Sequence, residues 1–303
     1  MSDRFRGWTR PGPRPPGALG EVADDEGRPV VVESGETLDW IAGHTRIFQY
    51  ERGHRFSVDD VLCAWFATSH APRVERALDL GAGIGSVALT VAWRLPGCTM
   101  TTIEAQDLSL RLQKKSIAYN GLGPRLTPYL GDLRDEALLD HVAARHGPFD
   151  LVTGSPPYWP LGAALPSVHA QAVPARLEVR GDVFDYARAA ARVLAPGGHF
   201  GLVHQGSQHE RVQQALHDAG LAALFVRFVR FKEDAPATTS GAVLVVAARH
   251  GDVPRAYSRR SGGKPIVEPD LVLRTRDGRV APEYATIRLS YGFPPGDADP
   301  DEV

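Results

Sequence analysis

From residue 76 onward the chain alternates between two hydrophobic rhythms. Short apolar-rich runs predict strands: RALDL ending at Leu80, CTMTTIE ending at Glu104, RLTPYL ending at Leu130, FDLVT ending at Thr153 and GHFGLVH ending at His204. Between them, apolar residues recur every three or four positions and predict helices over roughly Ser86 to Leu95, Asp107 to Asn120, Leu133 to Arg145, Val183 to Leu194 and Gln208 to Ala219. Strands separated by whole helices predict a parallel sheet, because a parallel crossover needs a dozen or more residues. After Ala219 the rhythm changes. LAALFVRFVRFK and GAVLVVAAR are divided only by a Thr/Ser/Gly-rich gap, which predicts an antiparallel hairpin closing the sheet. Upstream, FSVDDVLCAWFA predicts a helix capped by Ser57, with Val58, Val61, Leu62, Trp65 and Phe66 on its apolar face.

Three regions follow from this pattern. Residues 1–34 contain PGPRPP and ADDEG and read as a mobile or loosely docked extension. Residues 35–250 hold the α/β domain with an N-terminal cap, and residues 251–303 form a basic, then β-rich extension associated with it. No apolar run approaches the roughly 20 residues that span a bilayer, and the first residues lack the apolar block of a signal peptide. Cys63 and Cys98 have no metal-ligand spacing, so no metal site and a reducing, cytoplasmic setting are expected. The formal charge of -2 does not announce a nucleic-acid partner. It leaves local basic patches to decide the matter. Arg4, Arg6, Arg10 and Arg14 form one such patch, and Arg249, Arg255, Arg259, Arg260 and Lys264 another; each is either solvated surface or a phosphate contact.

The first chemical signal is DLGAGIGSVAL, where Gly81, Gly83 and Gly85 stand between a strand and a helix. Such a turn lets a ligand approach backbone amides. Its spacing departs from the dinucleotide pattern G-x-G-x-x-G. Asp79, at the end of that strand, repels a pyrophosphate and suits the amino group of a cationic adenosyl ligand. Glu104 ends the next strand, where a carboxylate meets ribose hydroxyls in nucleotide-binding sheets, and Asp132 follows the third, positioned to accept from an adenine amino group. The alternative for all three is ordinary strand-end capping.

The second signal is SPPYW, Ser155 to Trp159, directly after a buried-looking strand. Paired prolines can neither continue a central strand nor enter a helix interior, so the chain must turn there. The corner is either a rigid loop or a site. Around it, Asp59 and Arg55 either close over a cofactor or cap their helix, and Arg176 either meets substrate phosphate or pairs with Glu178. His44, His54, His169 and His204 show no ligand spacing and read as surface or loop residues.

DLGAGIG, TTIEA, GDL and TGSPPYW together resemble the class I S-adenosylmethionine-dependent methyltransferases, in the amino-methylating group with an Asn-Pro-Pro-Tyr type motif. GHRFSVDDVLCAW, Asn120-Gly121-Leu122, LAPGGHF and GGKPIVEPDLVLRTRDGRVAPEY narrow the resemblance to bacterial enzymes that methylate adenine N6 beside the anticodon of a valine tRNA. The resemblance implies a Rossmann-like fold with a mostly parallel seven-stranded sheet and S-adenosyl-L-methionine as cofactor, held by Asp79, Gly81, Gly83, Gly85, Glu104, Asp132 and Ser155. It implies Ser155, Pro156, Pro157 and Tyr158 as the catalytic corner. The Ser155 side chain and the Pro156 carbonyl would accept the hydrogens of the target amino group. Tyr158 would stack on the base and Trp159 form a second wall; stacking is worth about 1 to 3 kcal/mol per base. A tRNA substrate would also be met by Arg176, Arg259, Arg260 and Lys264. This chain departs from that family at Ser155, where the tRNA enzymes carry Asn. A Ser-Pro-Pro-Tyr corner matches enzymes acting on cytosine N4. Cytosine N4, a protein glutamine amide and a small-molecule amine are therefore the alternative acceptors. Outside this chemistry, a nicotinamide-dependent oxidoreductase gives SPPYW no role, and a non-catalytic RNA-binding module gives the strand-end carboxylates none.

Overall fold

Each alternation of strand and helix in the sequence becomes one layer crossing of a twisted sheet. The computed structural model describes residues 8–71, 73–159, 171, 177–235, 241–298 and 303. The predicted strands are β3 (Arg76–Leu80), β4 (Thr99–Glu104), β5 (Leu126–Leu130), β6 (Phe149–Gly154), β7 (Leu194–Gln205), β8 (Leu221–Arg230) and β9 (Ala242–Arg249). They lie in the order β8-β9-β7-β6-β3-β4-β5, with β9 antiparallel to both neighbours and the other pairs parallel.

Two further strands of two residues each, β10 (Ile266–Val267) and β11 (Leu271–Val272), pair in parallel with β8 and bring the sheet to nine. They cover backbone groups of an edge strand that would otherwise stand open to another chain. Their shortness leaves no periodicity to read in the sequence.

The helices α1 (Val58–His70), α2 (Ser86–Arg94), α3 (Asp107–Tyr119), α4 (Glu136–His146), α5 (Val183–Val193), α6 (His209–Asp218), α7 (Arg255–Ser261) and α8 (Pro282–Ser290) complete the described regular structure, together with short 3-10 turns. Two cores result. One lies on the side of α1, α2 and α3, around Leu62, Phe66, Leu89 and Leu151; the other lies under α4, α5 and α6, around Phe149, Phe200, Val152 and Leu216. Burying apolar side chains on both faces of a parallel sheet is the arrangement such sheets require. Helix α1 begins at the expected cap, Ser57, and the cap is a full capping box: the Ser57 side chain accepts from the first turn while Asp60 accepts from the Ser57 amide at 3.0 Å.

A hairpin of β1 (Glu36–Ala42) and β2 (Thr45–Tyr50) stands outside the main sheet and packs on α2 and α3. Asn120, just past α3, fastens it: its Oδ1 accepts from the Arg46 amide at 2.9 Å and its Nδ2 donates to the Arg46 carbonyl at 2.7 Å. Residues 8–30, whose composition predicts loose docking, make specific contacts. Arg10 donates to the Gly43 carbonyl at 3.1 Å and lies 4.2 Å over the Trp40 ring, and Val30 is part of the first core.

Candidate active site

The chain order reverses between β3 and β6, because β4 and β5 extend the sheet on one side of β3 and β6 and β7 on the other. Such a switch point opens a crevice at the carboxyl ends of the strands. Here Leu80 pairs with Gly154. The glycine turn after β3 and the SPPYW corner after β6 therefore leave the sheet side by side. They border a cavity of about 380 Å³ whose lining includes Asp79, Gly81, Gly83, Glu104 and every residue from Ser155 to Trp159. Asp59 and Asp60 of α1 also line it, as do Arg55 and Arg180.

The two strand-end acids of β3 and β4 have different tasks. Asp79 is 1% exposed; Thr153 Oγ1 donates to its Oδ1 at 2.8 Å, while Oδ2 has no partner among the described residues. Burial pushes its carboxyl up to about 8 against the Thr153 hydrogen bond. An unsatisfied buried acceptor of this kind calls for a donor. Glu104 is already clasped: its Oε2 accepts from the Gly83 amide and its Oε1 from the Gln106 amide, both at 2.7 Å. Burial still raises its carboxyl above the ordinary value, opposed by those amides.

Gly81 and Gly83 both have φ of +56°, a left-handed conformation that favours glycine. A methyl group at Gly81 would collide with the Tyr186 hydroxyl, whereas one at Gly83 would meet no atom within 4 Å. Both glycines line the cavity, but a side chain at Gly83 would point into open space and one at Gly81 into Tyr186. Gly85 and Asp132 do not line the cavity. Gly85 abuts Gln113, 2.8 Å from where a Cβ would stand, and the Asp132 carboxylate is held by Arg134, Nη2 to Oδ2 at 2.6 Å. That pair keeps the Asp132 carboxyl below its usual range. Its neighbours Gly131 and Leu133 do line the cavity.

At the corner, Tyr158 donates its hydroxyl to Asp59 Oδ2 at 3.1 Å, and Gln208 donates to its carbonyl. Burial first, and then the neighbouring Asp60, push the Asp59 carboxyl up to about 6. The Tyr158 ring lies 5.1 Å from the ring of His204, tilted by 47°. His204 is fully buried on β7, with neither ring nitrogen bonded among the described residues, and burial lowers it to about 4. It is a neutral floor for Tyr158 rather than a surface residue; no spacing in the sequence signals this, because the contact joins strand β7 to the loop after β6. Arg55 forms an ion pair with Asp39 of the hairpin at 3.0 Å while lining the cavity.

Of the remaining expected residues, Arg176 lies outside the described residues. Arg259 and Arg260 sit on α7 and Lys264 just beyond it, where Tyr257 binds backbone of the edge strand β8 and the following turn. Strands β9 and β7 separate that edge from β6. The fold does not bring these three residues into the cavity.

Residues 60–228 match the family model described as the methyltransferase small domain. The chain belongs to that family. This methyltransferase small domain is similar to a release factor glutamine methyltransferase of Gloeobacter violaceus, 32% identical over 46% of this chain and 49% of that one. It is also similar to a tRNA1(Val) (adenine(37)-N6)-methyltransferase of Aeromonas hydrophila, 30% identical over 47% of this chain and 56% of that one. The chain thus spans about half the length of these relatives. Its fold matches the crystal structure of a predicted O-methyltransferase from Agrobacterium tumefaciens, with a TM-score of 0.56 at 18% identity, over 80% of this chain and 98% of that one.

S-adenosylmethionine is the cofactor of this methyltransferase domain, and the cavity fits it. Asp79 Oδ2, without a partner among the described residues, offers an acceptor to an ammonium group, the space at Gly83 admits a ligand against backbone, and the acidic groups of Asp59, Asp60, Asp79 and Glu104, whose ionisation burial opposes, would be drawn to ionise by a bound cation.

Proposed function

We propose that the chain methylates a conjugated amino nitrogen, with adenine N6 in tRNA near the anticodon as its substrate. The observation that carries this reading is the placement of SPPYW beside the glycine turn in one cavity, set by the pairing of Leu80 with Gly154. When bound, S-adenosylmethionine supplies a methyl group on a positively charged sulfur. The chain's own residues prepare the acceptor. An adenine amino group shares its lone pair with the ring and becomes nucleophilic as it turns tetrahedral. The Ser155 hydroxyl oxygen and the Pro156 carbonyl accept its hydrogens and stabilise the positive charge that develops there. Tyr158, held by Asp59 at its hydroxyl and by His204 at its ring, gives the base a fixed platform. Half-exposed Trp159 forms the outer wall. The prolines keep the corner from having to order itself when substrate arrives.

The adenine reading draws support from the similarity to a tRNA1(Val) enzyme and from the segments that resemble that group. Similarity to release factor glutamine methyltransferases supports a second reading, since a glutamine amide presents the same planar NH2.

The test offers labelled S-adenosylmethionine with tRNA and with release factor protein, and identifies products by mass after digestion. Label in N6-methyladenosine, lost at least about tenfold in Tyr158→Ala at unchanged cofactor affinity, is the expected result. Label confined to a glutamine of the protein, or to cytosine, overturns the adenine assignment.

A further inference from the structure

Between the corner and α5, residues 177–182 cross the rim of the cavity. One end of this strap is joined to the corner: Leu177 bridges Trp159, and the Glu178 amide donates to the Trp159 carbonyl at 3.0 Å. The other end enters α5 through its cap, Asp182, and Arg211 binds both Glu178 and Asp182, the latter at 3.0 Å. From the middle, Arg180 reaches across to the loop after β4 and donates Nη1 to the Ala105 carbonyl at 2.9 Å. It lines the cavity there with Ala105, Gly131 and Leu133, and its charge acts on Glu104 and on Asp132.

These neighbours mark one end of the cavity. Glu104 ends β4 and Asp132 follows β5, at the carboxyl ends of the parallel strands where such sheets bind ligands, and Ala105 and Leu133 offer apolar walls for a flat ring. The guanidinium is a planar cation suited to lie along the edge or face of a heterocycle while keeping a carbonyl bond. We propose that Arg180 is a cofactor-binding residue that pins the strap over the adenosyl end of S-adenosylmethionine. The inference rests on the cofactor reading and is independent of the methyl acceptor. Because the same strap is bonded to Trp159, cofactor occupancy also steadies the acceptor wall.

The test is calorimetry and stopped-flow dissociation with S-adenosylhomocysteine and with 5′-methylthioadenosine, which keeps the adenosyl end and lacks the amino acid. Arg180→Ala should weaken both by the same factor, about tenfold, and speed their release. Arg180→Lys, which keeps the charge without the fork, should recover part of the loss. A purely structural defect would appear in the ligand-free melting temperature; should Arg180→Ala fold poorly, Arg180→Lys and Arg180→Gln report the same ratio. Unchanged affinity for both ligands overturns the inference. So does a loss confined to S-adenosylhomocysteine, which would move Arg180 to the methionine end. Methyl transfer to RNA is not read in this experiment, so failure of the adenine assignment leaves this result intact.

Discussion

Asp79 shows how much a single residue can carry. Its carboxyl is raised to about 8 by burial, with one oxygen on Thr153 and the other without a partner among the described residues. In the unfolded chain the same group titrates near 4. Between those values the folded protein holds a proton that the unfolded chain has released. Stability from this group is therefore greatest at low pH and falls as pH rises towards 8. The ligand-free protein should lose melting temperature between pH 5 and 8, and Asp79→Asn should lose less, by at least about 1 kcal/mol of equivalent stability. A parallel fall in both proteins would show that Asp79 does not titrate this way. Asp79 was legible in the sequence because it precedes a glycine turn. His204 was not: its role comes from a ring contact with Tyr158, 46 residues away by their numbers in the chain, and distance along a sequence does not encode tilt.

At the scale of elements, the strands and helices of the central sheet were readable because each buries a side, whereas the C-terminal segment expected to be β-rich carries α7, α8 and two strands of only two residues each. The periods are fixed by backbone geometry, so β3 to β9 and the five central helices fall where the pattern puts them. Loops were less readable, because similar glycines serve different neighbours. Gly81 and Gly83 share one backbone conformation, yet Tyr186 of α5 closes on the first and open cavity adjoins the second. Gly81→Ala should destabilise the fold by about 3 kcal/mol or more through the collision and the left-handed strain. Gly83→Ala should cost only the strain, about 1–2 kcal/mol, but reduce cofactor affinity. Chemical denaturation with cofactor titration separates the two; equal stability losses with equal affinity would show that both turns serve packing alone.

At the scale of the whole molecule, a cluster of acidic side chains in the crevice stands apart from a cluster of basic ones by the edge of the sheet. Asp59, Asp60, Asp79 and Glu104 crowd the cavity, while Arg259, Arg260 and Lys264 lie by α7, beside the far edge of the sheet. A substrate touching both would have to extend over several strands, which suits a folded RNA better than a free nucleoside. Replacing the three basic residues together by Ala should weaken tRNA binding at low salt and flatten its salt dependence, with cofactor affinity unchanged. Identical salt titrations would remove α7 from the footprint. The placement of these residues could not be read from sequence, since it depends on which strand forms the sheet edge. The docking of residues 8–30 was hidden for a related reason: a Pro- and Gly-rich composition reports the absence of periodic structure, not the absence of partners such as Trp40 and Gly43.

The clasp of Glu104 has a consequence for the heat and speed of binding. With one carboxylate oxygen on the Gly83 amide and the other on the Gln106 amide, two loops from neighbouring strands are fixed to each other before any ligand arrives. A carboxylate has about four lone-pair directions, so ribose hydroxyls can be accepted without breaking either bond. A cofactor bound as proposed would enter a crevice whose floor has little conformational entropy left to lose. Its association is governed by encounter and desolvation rather than by ordering of the loops.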